Sequence, residues 1–240
     1  MALLSVRNLT KRFYIHHLEV GLPTFKDISF DLQKGEFVLL KGHNGAGKST
    51  LLRTIWRSYR PVAGEILFEA AEGQIDLARA ADIDIAYLRR SQIGFVTQFM
   101  NARPRVAADE IVAEPLRLAG ESHAKSLDVA RHWLAEFGVR EQLWSAYPST
   151  FSGGEQQKVN LARAFIVPQR LLLLDEPTAS LDAGARGALM RRLTELKAQG
   201  VAMIGVFHHP KDVAALIDRE IDLTPDYSRS LEDERQDVVL

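Results

Sequence analysis

Phe37-Val38-Leu39-Leu40-Lys41-Gly42-His43-Asn44-Gly45-Ala46-Gly47-Lys48-Ser49-Thr50 decides the fold. An apolar run of strand length enters a loop with glycine at positions 42, 45 and 47, and a helical pattern leaves it. Residues 42–49 fit the G-x-x-x-x-G-K-S phosphate-binding pattern in full, in the strand–loop–helix context it requires. Glycines let successive backbone N–H groups point inward at phosphate oxygens. The helix N-terminus adds positive partial charge. Lys48 places a point charge on the terminal phosphates of a nucleoside triphosphate, and Ser49 offers its hydroxyl to Mg²⁺. Thr50 supports an α-phosphate contact. Gly42, Asn44, Gly45 and Gly47 shape the cradle, and His43 carries no chemistry beyond loop shape.

Leu171-Leu172-Leu173-Leu174-Asp175-Glu176 is the second decisive stretch. Four consecutive leucines read as a strand buried on both faces. Its carboxyl end should emerge beside the phosphate loop, where ligands bind in open α/β sheets. Asp175 is then the acid that holds Mg²⁺, directly or through water. Glu176 is placed to polarise the attacking water.

Around these stretches, short β-type runs alternate with longer helical patterns. The pattern predicts strands at 3–8, 25–32, 36–41, 64–68, 92–97, 171–175, 201–207 and 219–223. It predicts helices at 48–59, 107–118, 124–137, 154–167, 183–199 and 211–217. Residues 1–35 and 62–97 read as strand-rich, and 99–167 as almost wholly helical. The expected architecture is therefore an α/β core with a mixed central sheet, an antiparallel β lobe and an inserted helical lobe. The main domain spans 1–224, with 1–98 and 168–224 as core plus β lobe and 99–167 as the helical lobe. An acidic tail follows at 225–240.

Composition bounds the rest. The 240 residues are 46% hydrophobic and 25% charged, with net charge −1, the values of an ordinary globular chain. No global field favours nucleic acid. With no cysteine, disulfides and thiolate metal sites are excluded. No run reaches the roughly 20 apolar residues a membrane span needs. A cytoplasmic location with no direct membrane insertion is expected, and any service to a membrane would run through a partner. The pairs His16-His17 and His208-His209 are not expected to bind metal, because sequence neighbours rarely converge on one ion.

Ser152-Gly153-Gly154-Glu155-Gln156-Gln157 opens a helix between the two phosphate-side motifs. It supplies a second anion-attracting helix end, which gains a ligand if two domains pack head to tail. With the phosphate loop and the Asp175-Glu176 pair, this motif resembles the signature of the ATP-binding-cassette (ABC) family. The likeness covers about residues 1–224. It implies a P-loop ATPase that binds ATP and Mg²⁺ in a homodimer or a heterodimer with a related cassette. Ser152, Gly153, Gly154 and Glu155 would face the partner's nucleotide. Phe13 resembles the aromatic that stacks on adenine, with Tyr14 the neighbouring candidate. Gln98 resembles the glutamine that senses Mg²⁺ and the attacking water. Asp182, in Ser180-Leu181-Asp182, resembles the interface-crossing loop. His208 resembles the histidine that contacts the γ-phosphate.

Departures from the family pattern are few. Glu155 replaces a glutamine and is expected to bring negative charge near the partner's γ-phosphate. Lys158 replaces an arginine. His209 stands where an acid is usual. The span from Lys48 to Gln98 is long for the family, and the excess at 69–90 is expected to form an elaborated hairpin.

Residues 148–167 and the stretch Gln98-Phe99 to Leu116 resemble the PhnL-type ATPase subunits of the bacterial carbon–phosphorus lyase system for phosphonate utilisation. Leu22-Pro23-Thr24-Phe25 and Gly42-His43 agree. Asn160 and Phe165-Ile166 are the most discriminating choices. This likeness implies a non-transport role beside lyase subunits that form ribose 1-phosphonate 5-triphosphate; the segment after Gln98, with Met100, Asn101, Arg103 and Arg105, is expected to dock them because it responds to γ-phosphate occupancy. The alternative is the energising ATPase of a membrane transporter of lipoprotein- or macrolide-export type, since residues 148–157 resemble those as well. A repair- or ribosome-associated binding module is the remote third reading.

Overall fold

A computed structural model describes residues 2–15, 20–98, 100, 103–167 and 169–223. The acidic tail, His16-His17 and Asn101 lie outside the described residues. Among the described residues, nine strands run as β1 Leu4–Ile15, β2 Val20–Leu32, β3 Phe37–Lys41, β4 Ala63–Ala70, β5 Gly73–Asp76, β6 Ile93–Val96, β7 Leu171–Asp175, β8 Ala202–Val206 and β9 Arg219–Asp222. The α-helices among the same residues are α1 Lys48–Ile55, α2 Asp82–Ser91, α3 Ala108–Leu118, α4 His123–Glu136, α5 Gly153–Phe165 and α6 Ala183–Ala198.

Two sheets form. One is antiparallel in the order β2-β1-β4-β5, and the other has the order β6-β7-β8-β3-β9. The expected α/β core and antiparallel lobe are present. Every pairing between elements of the five-stranded sheet is parallel, so the mixture of strand directions lies between the sheets.

The leucines of β7 show why this sheet sits at the centre. All four are fully buried. Leu172 and Leu174 face the core made with α3–α6, and Leu171 and Leu173 face the core made with α1, α2 and the antiparallel sheet. A strand's two-residue period thus feeds two cores at once. Each buried leucine contributes about 1.5–3 kcal/mol, and no polar position interrupts the strand before Asp175.

Three sequence expectations change. Residues 69–90 hold the β4–β5 hairpin and also α2. The run Asp82-Ile83-Asp84-Ile85 alternates like a strand, yet Ile83 is 77% exposed while Ile85 and Leu88 are buried. That is a one-sided helix. Helix α1 stops at Ile55 because Arg57 turns to φ 68°, outside the right-handed helical region. The expected helix at 211–217 is a 3-10 turn, Pro210–Asp212, followed by irregular chain. Among residues 211–217 only Val213 is buried, too little apolar face to hold a helix.

Candidate functional site

Register places the candidate residues. β6 pairs with β7 through Val96↔Leu174. Two residues further along both strands stand Gln98 and Glu176, and Gln98 Nε2 donates to Glu176 Oε2 at 3.0 Å. β3 pairs with β8 through Leu39↔Gly205, and three residues further stand Gly42 and His208. One edge of the parallel sheet therefore carries Gln98, Asp175, Glu176, His208 and the phosphate loop side by side.

The loop's geometry follows from its glycines. Gly47 caps α1 at φ 90°, and a Cβ there would lie 2.8 Å from Thr24 Cγ2. This contact ties the loop to β2 and leaves no room for a side chain. Lys48 Nζ donates to Gly42 O at 2.7 Å and to His43 O at 2.9 Å, which holds the ammonium over the loop. Asn44 and Gly45 are exposed, and Thr50 is half-buried.

Ser49 Oγ donates to Asp175 Oδ1 at 2.7 Å. Asp175 is 1% exposed. Burial pushes its carboxyl above the usual aspartate range, against the Ser49 bond and the charges of Arg53 and Lys48. The Ser49 hydroxyl and the Asp175 carboxylate offer oxygen donors, which would suit Mg²⁺. A buried acid whose charge is incompletely compensated fits the same ion. Among the described residues no group of three or more His, Cys, Asp or Glu could hold a metal.

The folded chain keeps the Asp175 proton to a higher pH than the unfolded chain. Its contribution to stability is therefore greatest at low pH and falls as pH rises past the ordinary aspartate value. Asp175→Asn keeps an acceptor for Ser49 without the buried charge. The variant is expected to raise the thermal midpoint of the nucleotide-free protein at pH 7 by about 2–4 °C, and to lose Mg-ATP turnover. Scanning calorimetry across pH checks this, and a lower midpoint for the variant refutes it.

Glu176 adopts φ 51° and its N–H donates to Val206 O at 2.9 Å. His208 is exposed, and its ring meets that of His209 edge to face at 4.6 Å. Phe13 is half-buried, with Tyr59 perpendicular at 5.1 Å and Lys11 Nζ 4.6 Å from its ring centroid. Tyr14 is 53% exposed.

The signature forms a separate group. Ser152 caps α5, and Glu155 closes a capping box with it. No hydrogen bond joins Ser152, Gly153 or Gly154 to the phosphate loop among the described residues. The motif instead packs on the loop before α6. A Cβ on Gly154 would lie 2.7 Å from Ser180 O. Asp182 caps α6 by accepting from Ala185 N at 2.8 Å, and its other oxygen lies 2.6 Å from Lys158 Nζ.

Glu155 has partners within its own chain. Its carboxylate is turned back onto Ser152 N, Ser152 Oγ and Arg140, so its charge is engaged within its own chain. Lys158, where the family usually has an arginine, bridges Asp182 and Gly138 O.

Sequence reasoning gave Asn160 no role. The structure buries it and has its Nδ2 donate to Thr97 O at 2.8 Å. Gln157 Nε2 donates to Thr97 O and Pro177 O, both at 3.3 Å. Two side chains of α5 thus hold the backbone next to Gln98. A polar residue on the buried face of α5 was the only signal.

A family model described as ABC transporter matches residues 25–179. The chain belongs to the ABC transporter family.

It is 34% identical over 235 residues to the lipoprotein-releasing system ATP-binding protein LolD of a Shewanella species, covering 98% of both chains. It is 35% identical over 219 residues to the macrolide export ATP-binding/permease protein MacB of Marinobacter nauticus, covering 91% of this chain and 33% of MacB. Two Mycobacterium tuberculosis relatives are matched over just 66% of their length. Among solved structures, the dimeric bacterial ABC transporter cassette MJ0796 superposes with TM-score 0.83 at 29% identity, covering 92% of this chain and 94% of that one. The same cassette is also known as a dimer bound to ADP and Pi.

Proposed function

We propose that this chain hydrolyses ATP as one half of a head-to-tail cassette dimer and passes the resulting movement to a partner protein. The observation that carries the reading is the convergence of Ser49–Asp175 and Gln98–Glu176 beside the Lys48 loop. Gly42, Asn44, Gly45, Gly47, Lys48, Ser49 and Thr50 hold the phosphates, and Phe13 lies against the base. Mg²⁺, held by Ser49, Asp175 and Gln98, would neutralise charge on the β- and γ-phosphates. Glu176 accepts the proton of the attacking water, Gln98 orients it, and His208 donates toward the γ-phosphate. Ser152, Gly153 and Gly154 meet the γ-phosphate bound by the facing cassette, and Asp182 holds the adjoining loop on that interface.

A groove of about 310 Å³ supports coupling to a partner. Trp56, Phe95, Pro115 and Val167 line it with Arg89, Arg163 and Asn160. Pressure there reaches Asn160, then Thr97, then the Gln98–Glu176 pair. The lipoprotein-release and macrolide-export roles of LolD and MacB favour a membrane transporter as the system served, with this subunit on its cytoplasmic side.

A second reading, attachment to carbon–phosphorus lyase subunits, keeps support from the choices at 98–116 and 148–167. Asn160, one of its most discriminating residues, grips Thr97 together with Gln157. Arg103, in the expected docking segment, pairs with Glu114 at 2.8 Å on the rim of the groove.

Affinity purification of the chain from its native cells separates the two readings. Recovery of a permease supports transport. Recovery of soluble phosphonate enzymes, with loss of growth on a phosphonate as sole phosphorus source on deletion, supports the lyase. An Arg103→Glu/Arg105→Glu variant is expected to lose the partner and keep basal hydrolysis. Unchanged recovery would reject that docking segment.

A further inference from the structure

Glu155 is the one signature residue whose charge opposes the role proposed for the motif. A helix N-terminus attracts phosphate because it carries roughly +0.5 charge, and an ionised carboxylate in the first turn cancels that field. Glu155 is held ionised: the Ser152 hydroxyl and N–H, then Arg140, keep its carboxyl below the usual glutamate range.

The two carboxylate oxygens have different partners. Oε2 accepts from Ser152 N at 3.1 Å and Ser152 Oγ at 2.9 Å. Oε1 accepts from Arg140 at 2.9 Å. Arg140 comes from another element, the turn before the 3-10 helix Glu141–Leu143. The next cation along α5, Lys158, is engaged by Asp182 and Gly138 O. Arg140 is thus the guanidinium that offsets Glu155.

We propose that Arg140 is a positioning residue for ATP, restoring the positive field of the signature helix and holding the Glu155 carboxylate away from the γ-phosphate of the facing cassette. This rests on the head-to-tail reading above. The Arg140 side chain is 72% exposed, and an exposed ion pair counts for little in stability. Its effect therefore belongs in nucleotide affinity and in salt dependence.

The test is steady-state ATP hydrolysis by Arg140→Glu, Glu155→Gln and the double variant, at about 50 and about 500 mM KCl. One unit of charge at a helix end shifts binding about two- to fivefold. Reversal at Arg140 should therefore raise KM for ATP on the order of tenfold at low salt, with a smaller change in kcat. The increase should shrink at high salt. In the Glu155→Gln background, which keeps the capping box and has no carboxylate to release toward the γ-phosphate, the same reversal should move KM clearly less, by no more than about the fivefold of the exposed side chain's own charge. An equal KM increase in both backgrounds would overturn the proposal, as would no increase in the single variant while Ser152→Trp abolishes hydrolysis. If Ser152→Trp hydrolyses normally, the head-to-tail reading fails and this inference fails with it. Arg140→Glu should melt at the wild-type temperature, which separates a field effect from misfolding.

Discussion

Glu176→Gln is expected to slow ATP hydrolysis by about 10²–10⁴-fold, the usual scale for loss of a general base, while Mg-ATP still binds. The substitution is close to isosteric. It leaves the Glu176 N–H on Val206 O, and the amide oxygen can still accept from Gln98 Nε2 where the carboxylate does now. The backbone at φ 51° is no harder for glutamine than for glutamate. Only the basicity is removed. A phosphate-release assay measures the rate. Size-exclusion chromatography with Mg-ATP should show the variant collecting as a dimer, because the nucleotide that joins two cassettes is no longer consumed. Wild-type turnover would remove Glu176 from catalysis. Slow turnover by a protein that stays monomeric would leave the chemistry standing and undo the dimer.

How legible this site was depended on how local each piece of it is. The phosphate loop and the Leu171–Glu176 strand could be read because a short run of residues determines both the shape and the chemistry. The alternating cores on either side of β7 likewise follow from four leucines in a row. Helix α2 was missed because Asp82-Ile83-Asp84-Ile85 has a strand's alternation, and only tertiary packing shows that Ile83 faces outward. Asn160 could be given no role because its partner, the Thr97 carbonyl, lies 63 residues away in sequence. The partner of Glu155 could not be read for the same reason: Arg140 is 15 residues upstream on a different element. Long-range pairs leave no periodic trace.

The second large effect concerns binding. Lys48→Ala is expected to weaken ATP affinity by about 100-fold or more, from loss of charge-assisted bonds to phosphate at roughly 1.5–3 kcal/mol each. The fold should survive. Lys48 is half-buried at the start of α1, and among the described residues its side chain bonds only to loop carbonyls, Gly42 O and His43 O. Alanine is also the best helix former, so α1 loses nothing locally. The loop's shape is held independently by Gly47 packed on Thr24 and by Ala46 N–H donating to His43 O at 3.1 Å. The thermal midpoint without nucleotide should therefore stay within about 2–4 °C of wild type, the shift expected for roughly 1 kcal/mol at this size. The stabilisation that added ATP gives wild type should be absent at the same concentration. Thermal shift with and without Mg-ATP, paired with equilibrium binding of a fluorescent ATP analogue, gives both quantities. Retained affinity in a well-folded Lys48→Ala protein would mean that the ammonium does not hold the phosphates, and the role given to this loop would have to be abandoned.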